Sequence, residues 1–303
     1  MRVCVIGSGK MGFAYQQAVY GAGLSHKFEF YKRSKSSYSN DTYGPWDCLD
    51  DGLANQFYDS IVLAIPSDQY LSAMKRLETY TKCFLLEKPG FASLEDFELL
   101  NEWCNHSNRK IFVLFNRRFF SSVRHLKKLV MNTDKLYARF CFDDRISFLS
   151  DYPRPNELRH WVWFNSAHVI DLMFWLFDGL FDSQSETQGS LTPIDAAQVP
   201  WHKGATIMRQ QWDLGDQQVL VEADWSRDGS WCINGNADGE EFTLSPIEEF
   251  RSEKFTLKPD FSDGVKPGLK EIVESIAIAD TTQFASLEYC RKLYDQICKI
   301  AHY

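Results

Sequence analysis

Along the first third of the chain, short apolar runs alternate with stretches of helical period, the pattern of parallel strands joined by crossover helices. Val3–Ile6 predicts the first strand, and residues 10–20 predict a helix that Gly21-Ala22-Gly23 stops. Phe28–Tyr31 follows as a second strand, a weak third lies near Cys48, and residues 60–65, 83–86 and 111–115 make the fourth, fifth and sixth. Helical spacing over 67–79 fills one crossover. Ser93 with Asp96 forms a capping box ahead of Phe97, Leu99, Leu100 and Trp103 and so opens another. Six parallel strands with crossover helices predict a doubly wound domain over residues 1–118.

The pattern changes after Phe120. A helix over 122–131 precedes a strand at Leu136–Phe142, then an irregular Pro-containing segment and an aromatic helix over 167–177. Longer alternating runs follow at 205–213, 219–226, 230–235 and 241–245, separated by Leu-Gly-Asp, Arg-Asp-Gly and Ala-Asp-Gly turn signals. Such runs predict antiparallel hairpins. Helices over 266–278 and 287–302 close a second α/β domain, residues 119–303, with a largely antiparallel open sheet. The chain shows no internal repeat and no low-complexity linker.

With 303 residues and 44% hydrophobic content, the chain can bury two cores and is neither disordered nor fibrous. Its net charge of −8 and scattered cations disfavour nucleic acid as a partner. The most apolar long stretch, 161–181, contains Asn165, His168, Asp171 and Asp178, each costly in a bilayer core, so no membrane span is expected. Met1 leads almost at once into a strand, which leaves no room for a signal peptide, and a cytoplasmic location is expected. Eight cysteines without a CxxC pair or regular spacing predict reduced, mostly buried thiols and no metal site.

Gly7-Ser8-Gly9-Lys10-Met11-Gly12 is a G-x-G-x-x-G sequence between a predicted strand and a predicted helix, the setting that gives this short motif its value. Gly7 would allow the tight turn, Gly9 the approach of a pyrophosphate to backbone, and Gly12 close helix–strand packing, with the helix N-terminus facing the anion. At the end of strand two, where NAD-selective sites carry an acid, the chain reads Tyr31-Lys32-Arg33-Ser34; Glu29 lies earlier, inside the strand. Two cations and a hydroxyl suit a 2′-phosphate, so NADP(H) is expected to be preferred, with NAD(H) possible. The alternative is that Lys32 and Arg33 are a solvated surface pair.

Glu87-Lys88-Pro89 stands at the C-terminal end of the fifth strand, the edge where open parallel sheets bind ligands. In chain order the glycine loop, Ala64-Ile65-Pro66-Ser67, Glu87-Lys88-Pro89, Phe115-Asn116-Arg117-Arg118-Phe119, His168-Val169-Ile170-Asp171 and Lys266-Pro267-Gly268-Leu269 resemble the Gfo/Idh/MocA oxidoreductases over nearly the whole chain. The specific part is Glu-Lys-Pro with the downstream Asn-Arg-Arg-Phe.

The resemblance implies a Rossmann domain followed by an α/β domain with an open antiparallel sheet. It implies hydride transfer between a nicotinamide and a carbinol or carbonyl of a small-molecule substrate, a sugar, nucleotide sugar or cyclitol. Lys88 would contact cofactor and substrate oxygen, His168 would exchange a proton, and Pro66 and Glu87 would line the cofactor site. Asn116, Arg118, Trp163, Asn165 and Asp171 are candidate substrate contacts, with the alternative that Asn116 and Arg118 tie the two domains together; Trp161, Trp163 and Phe164 could wall a sugar ring or pack the core. A homo-oligomer through the open sheet face is also implied. The chain departs from the family pattern at Phe164, where many members carry Asp four residues before the histidine, and at Ser67 and Tyr70, where Asn and His are frequent. The resemblance leaves a second reading, a redox-assisted lyase or glycosidase with retained cofactor, since some relatives work this way, and the departures suggest a third, a non-catalytic NADP-binding sensor or scaffold.

Overall fold

A computed structural model describes residues 1–31, 56–144, 149, 155–177, 179–183, 185–187, 202, 204–225, 228–259 and 264–303. The chain divides into two units, residues 1–116 with 261–290 and residues 117–260 with 291–303. The expected continuous second domain, 119–303, is therefore corrected: the segment 261–290 belongs to the first unit.

In the first unit, β1 (Val3–Ile6), β2 (Phe28–Tyr31), β3 (Ser60–Leu63), β4 (Cys83–Glu87) and β5 (Lys110–Leu114) form a parallel sheet in the order β5-β4-β3-β1-β2. All four residues of β1 and of β3 are buried, as a sheet covered on both faces requires. The sixth strand of this sheet is not parallel. It is the two-residue β14 (Ala285–Ser286), antiparallel to β5, and the strand expected near Cys48 lies outside the described residues. Helix α1 (Lys10–Gly21) follows β1, α2 (Tyr70–Leu77) follows β3, and α3 (Leu94–Ser107) follows β4. Ser93 Oγ accepts from the Asp96 amide at 3.1 Å, so the expected cap starts α3, and Asn108 in the left-handed conformation ends it. Helix α7 (Leu269–Ala277) returns to pack on α1, burying Leu269, Ile272, Val273, Ile276 and Ala277 along one stripe.

The second unit is built on eight strands in the order β13-β12-β11-β10-β6-β9-β8-β7. These are β6 (Leu136–Phe142), β7 (Ser185–Thr187), β8 (Ile207–Leu214), β9 (Gln217–Asp224), β10 (Trp231–Ala237), β11 (Glu240–Leu244), β12 (Phe250–Ser252) and β13 (Thr256–Leu257). Every neighbouring pair is antiparallel except β6 with β9. Strands β10 and β11 are joined by Asp238 and Gly239, both at positive φ (49° and 92°), the two-residue turn whose twist matches the hairpin. Period-two alternation puts Ala138, Phe140, Phe142, Val219, Val221, Ala223 and Ile233 on a buried face, while Arg139, Glu222 and Asn234 face the other way. Helices α4 (Ser121–Met131), the short α5 (Pro155–Leu158) and α6 (Ala167–Leu176) belong to this unit, and α6 packs on β6 and β9. Nine of the ten α6 residues are buried, which explains the nearly continuous apolar run that carries His168 and Asp171. Helix α8 (Leu287–Ala301) runs through the point at which the chain passes from the first unit to the second.

Candidate functional site

The first unit gathers the glycine loop, Pro66 and Glu87-Lys88 at the C-terminal edge of its parallel strands. Gly7 leaves β1 at φ 146°, and a Cβ there would sit 2.2 Å from the Ala64 carbonyl oxygen, just beyond β3. A Cβ on Gly12 would sit 2.1 Å from the Gly7 carbonyl oxygen, so the first turn of α1 closes against the loop only without a side chain. Gly9 differs: it is the N-cap residue of α1, in extended conformation, and a Cβ there would meet nothing within 4 Å. That open backbone, with no acidic residue in the first turn and no side-chain cap, fits the pyrophosphate of a dinucleotide. Ser8 lies within the loop, Lys10 begins the helix, and Met11 Sδ accepts from Lys266 Nζ at 3.1 Å. Pro66 precedes a 3-10 turn at Ser67–Gln69. Lys32, Arg33 and Ser34 lie outside the described residues.

Glu87 ends β4, and its carboxylate accepts from Tyr15 Oη of α1 at 2.5 Å, while Tyr70 Oη donates to its backbone oxygen at 2.9 Å. Burial raises the Glu87 carboxyl above its ordinary range, against the Tyr15 hydrogen bond and the charges of Lys266 and Lys88. Lys88 is half-buried and joined to Pro89 by a cis peptide bond. Asn116 Nδ2 donates to the Pro267 carbonyl at 3.1 Å, tying β5 to the segment that carries Lys266.

The second unit contains a cavity of about 670 Å³ lined by Arg117, Asp144, Trp161, Asn165, Trp231 and Glu248, among others. Asp144, just beyond β6, gathers four side-chain donors: Trp231 Nε1 at 2.8 Å, Ser166 Oγ at 2.8 Å, Trp161 Nε1 at 2.9 Å and Asn165 Nδ2 at 3.1 Å. Burial pushes its carboxyl up to about 6 although all four donors favour the charged form. The π-helical turn Val162–Ser166 turns Asn165 and Ser166 toward it immediately before α6. The Arg117 guanidinium lies 4.1 Å from the Trp231 ring centroid, and burial lowers it to about 10 against the charges of Glu248 and Asp144. The His168 ring centroid lies 6.2 Å from that of Trp231, the two rings tilted at 52°.

Several expected contacts have another role. Arg118 and Asp171 form a buried two-point ion pair, Nε to Oδ2 at 2.9 Å and Nη2 to Oδ1 at 2.5 Å, with side chains 3% and 0% exposed. Within the second unit they pair Arg118 with α6, the structural role that was the alternative for Arg118. Trp163 is fully buried with its ring edge-on to Tyr294 at 5.1 Å, so it packs the core, whereas Trp161 and Asn165 line the cavity. Sequence reasoning missed Asp144, Trp231 and Glu248. The first had a signal, an acidic pair Asp143-Asp144 at a strand end; the other two lie far along the chain, and only sheet pairing brings Trp231 opposite Phe142. Among the described residues, no group of His, Cys, Asp and Glu side chains could hold a metal ion, and no helix is long and apolar enough to cross a membrane.

No known family's sequence model and no curated protein matches the chain. Solved structures do. A dehydrogenase, MviM, from Clostridium difficile is similar over 99% of this chain and 98% of its own, with a TM-score of 0.67 at 17% identity. The WlbA dehydrogenase from Bordetella pertussis, solved in complex with NADH and UDP-GlcNAcA, covers 99% of this chain and 94% of its own at TM-score 0.64 and 12% identity. The myo-inositol 2-dehydrogenase from Lactobacillus plantarum covers 98% and 95% at TM-score 0.63 and 14% identity. The chain has the fold of these dehydrogenases: a mostly parallel, doubly wound sheet followed by an α/β unit with an open, largely antiparallel sheet.

Proposed function

We propose that the chain is an oxidoreductase of the Gfo/Idh/MocA type that moves a hydride between a nicotinamide dinucleotide and a carbinol or carbonyl of a sugar, nucleotide sugar or cyclitol. One observation carries the reading. The glycine loop after β1 and Glu87-Lys88 at the end of β4 stand at one edge of one parallel sheet, and the Tyr15–Glu87 hydrogen bond joins the helix that follows the loop to that strand end. The backbone at Gly9 and the N-terminus of α1 would receive the pyrophosphate. Lys32, Arg33 and Ser34 would receive a 2′-phosphate, so NADP(H) is preferred. The bound nicotinamide supplies the hydride acceptor or donor.

The chain's own residues supply the rest. The Lys88 ammonium favours developing alkoxide charge during oxidation and polarises a carbonyl during reduction. His168 is the proposed proton donor and acceptor. In the second unit, Trp161, Asn165 and Trp231 give the cavity two indole surfaces and an amide, a lining that suits a polyhydroxylated ring. Asp144 holds both indole N–H groups and thereby sets the orientation of the two rings.

The direct test titrates the purified chain with NADPH and NADH, then follows hydride transfer at the nicotinamide absorbance against a panel of sugars, nucleotide sugars and cyclitols. The reading expects dinucleotide binding and turnover with a member of the panel. Absence of dinucleotide binding would overturn it.

A further inference from the structure

The open sheet of the second unit carries two thiols that neither the glycine loop nor the cavity uses. Cys141 of β6 and Cys232 of β10 are directly opposite one another in the antiparallel register. Opposed residues project from the same face of a sheet, and their Cα atoms lie about 4.5 to 5.5 Å apart. That interval falls inside the roughly 4.4 to 6.8 Å that a disulfide spans. Both cysteines are free thiols in the structure. Cys141 is buried and Cys232 half-buried, so a reagent in solution reaches Cys232 first.

The surroundings distinguish the two sulfurs. Asn234, two residues along β10 on the same face, donates its Nδ2 to Cys232 Sγ at 3.5 Å. The facing Cys141 thiol does most to favour the Cys232 anion, Asn234 and the Arg139 guanidinium add to it, and burial and Asp143 work against it. Together these hold Cys232 below an ordinary thiol, while the same pairing and burial hold Cys141 above one. Burial pushes Cys4, Cys83, Cys104 and Cys298 upward. One sulfur is thus prepared as a nucleophile and its partner as the thiol that resolves it.

We propose that Cys141 and Cys232 are a redox-active dithiol, closed to a disulfide by exchange with a low-molecular-weight disulfide such as oxidised glutathione. In the first step the Cys232 thiolate attacks one glutathione sulfur; the glutathione S–S bond breaks and one glutathione thiolate leaves. In the second, Cys141 gives its proton to a departing thiolate and attacks Cys232 Sγ, breaking the mixed disulfide and releasing the second glutathione. Two protein thiols are oxidised and one glutathione disulfide is reduced to two thiols. The assignment is independent of the proposed oxidoreductase function.

The experiment incubates the native full chain in glutathione buffers of graded redox ratio, quenches with acid, alkylates the remaining thiols and maps peptides by mass spectrometry. A Cys141–Cys232 linked peptide that appears with oxidised glutathione and disappears with dithiothreitol is expected. In Cys141→Ser, Cys232 should accumulate one glutathione; in Cys232→Ser, Cys141 should stay a thiol. In the unmodified protein, iodoacetamide should label Cys232 about ten-fold faster than Cys141 or more, a comparison that stands even if a serine variant fails to fold. Failure of the linked peptide to form in buffers that fully oxidise a dithiol peptide control, or labelling of Cys141 as fast as Cys232, overturns the proposal.

Discussion

Tyr15, in the helix that follows the glycine loop, donates its phenolic hydrogen to Glu87, the residue before Lys88, at 2.5 Å. Tyr15 is fully buried, so this bond fixes α1 and the end of β4 together inside the first unit. Residues 72 apart in sequence thereby become parts of one sheet edge. Substitutions there should separate the cradle from the chemistry.

Gly9 and Gly12 should respond in opposite ways to an added methyl group. Gly9→Ala places a Cβ in open space and should leave unfolding stability within about 1 kcal/mol of the parent. The same methyl occupies the approach to the backbone, and dinucleotide affinity should fall about ten-fold or more, since each lost 1.4 kcal/mol is a decade. Gly12→Ala drives a Cβ into the Gly7 carbonyl and should cost roughly 1–3 kcal/mol of stability. Urea unfolding and fluorescence titration with NADPH measure both; a Gly9→Ala protein that binds NADPH like the parent would contradict the placement of the pyrophosphate.

Arg33→Asp should abolish a preference for NADPH over NADH. A charge-assisted contact to the 2′-phosphate contributes about 1.5–3 kcal/mol, so NADPH affinity should drop roughly 10- to 100-fold while NADH binding changes little. Parallel titrations with the two reduced dinucleotides decide the matter. A preference that survives the substitution would put the phosphate elsewhere.

Lys88→Ala should lower turnover on the order of 10²-fold while changing NADPH affinity much less, because a group that acts on transition-state charge is removed. His168→Ala should also slow turnover and flatten its pH profile near neutrality. Steady-state kinetics on a substrate from the sugar panel, beside NADPH titration of each variant, separates chemistry from binding. Full activity in Lys88→Ala would remove the lysine from the mechanism.

The Arg118–Asp171 pair should behave as a buried brace. Removing one partner strands the other charge, so Asp171→Ala or Arg118→Ala should cost about 3–5 kcal/mol. The double replacement Arg118→Met with Asp171→Leu should lie closer to the parent than either single alanine variant, because no unpaired charge remains. A set of urea unfolding curves provides the check, and single variants as stable as the parent would refute the brace.

Asp144 should give stability an acid-side signature. Its folded-state value of about 6 exceeds its ordinary value, so its contribution is fully present below about pH 4 and is lost as pH rises through about 6, up to about 3 kcal/mol. His202, pushed down to about 4 by burial, works oppositely: its contribution is present above about 6.5 and is lost as pH falls through 4. The two slopes oppose each other over the same window. Asp144→Asn removes only the first, so relative to the variant the parent should lose stability between pH 4 and pH 7. Parallel slopes in the two proteins would show that Asp144 does not titrate in this window.

Much of the site was legible one element at a time. The glycine loop was readable because a helix N-terminus this close to a strand tolerates only glycine at positions 7 and 12, and the clashes at both confirm the reason. The α3 start was readable because Ser93 and Asp96 act locally. The short strands β7, β12, β13 and β14 carried too few residues to show a period and exist because a neighbouring strand offers unpaired backbone groups. The pairing of Arg118 with Asp171 was not legible, because a motif shows residue type and not what the residue faces.

The sequence alone determined the longer strands and helices, the glycine loop between β1 and α1, and the residues Lys88 and His168 on which the chemistry is proposed to rest, because periodicity, capping and backbone sterics act within a few positions. Tertiary structure decided that residues 261–290 join the first unit, that Arg118 and Asp171 neutralise each other, that Asp144 gathers two indoles, an amide and a hydroxyl, and that Cys141 meets Cys232. Each of these depends on contacts between residues far apart in the chain. Burial then sets their charge, because a group's protonation follows the solvent and partners that only the folded chain provides.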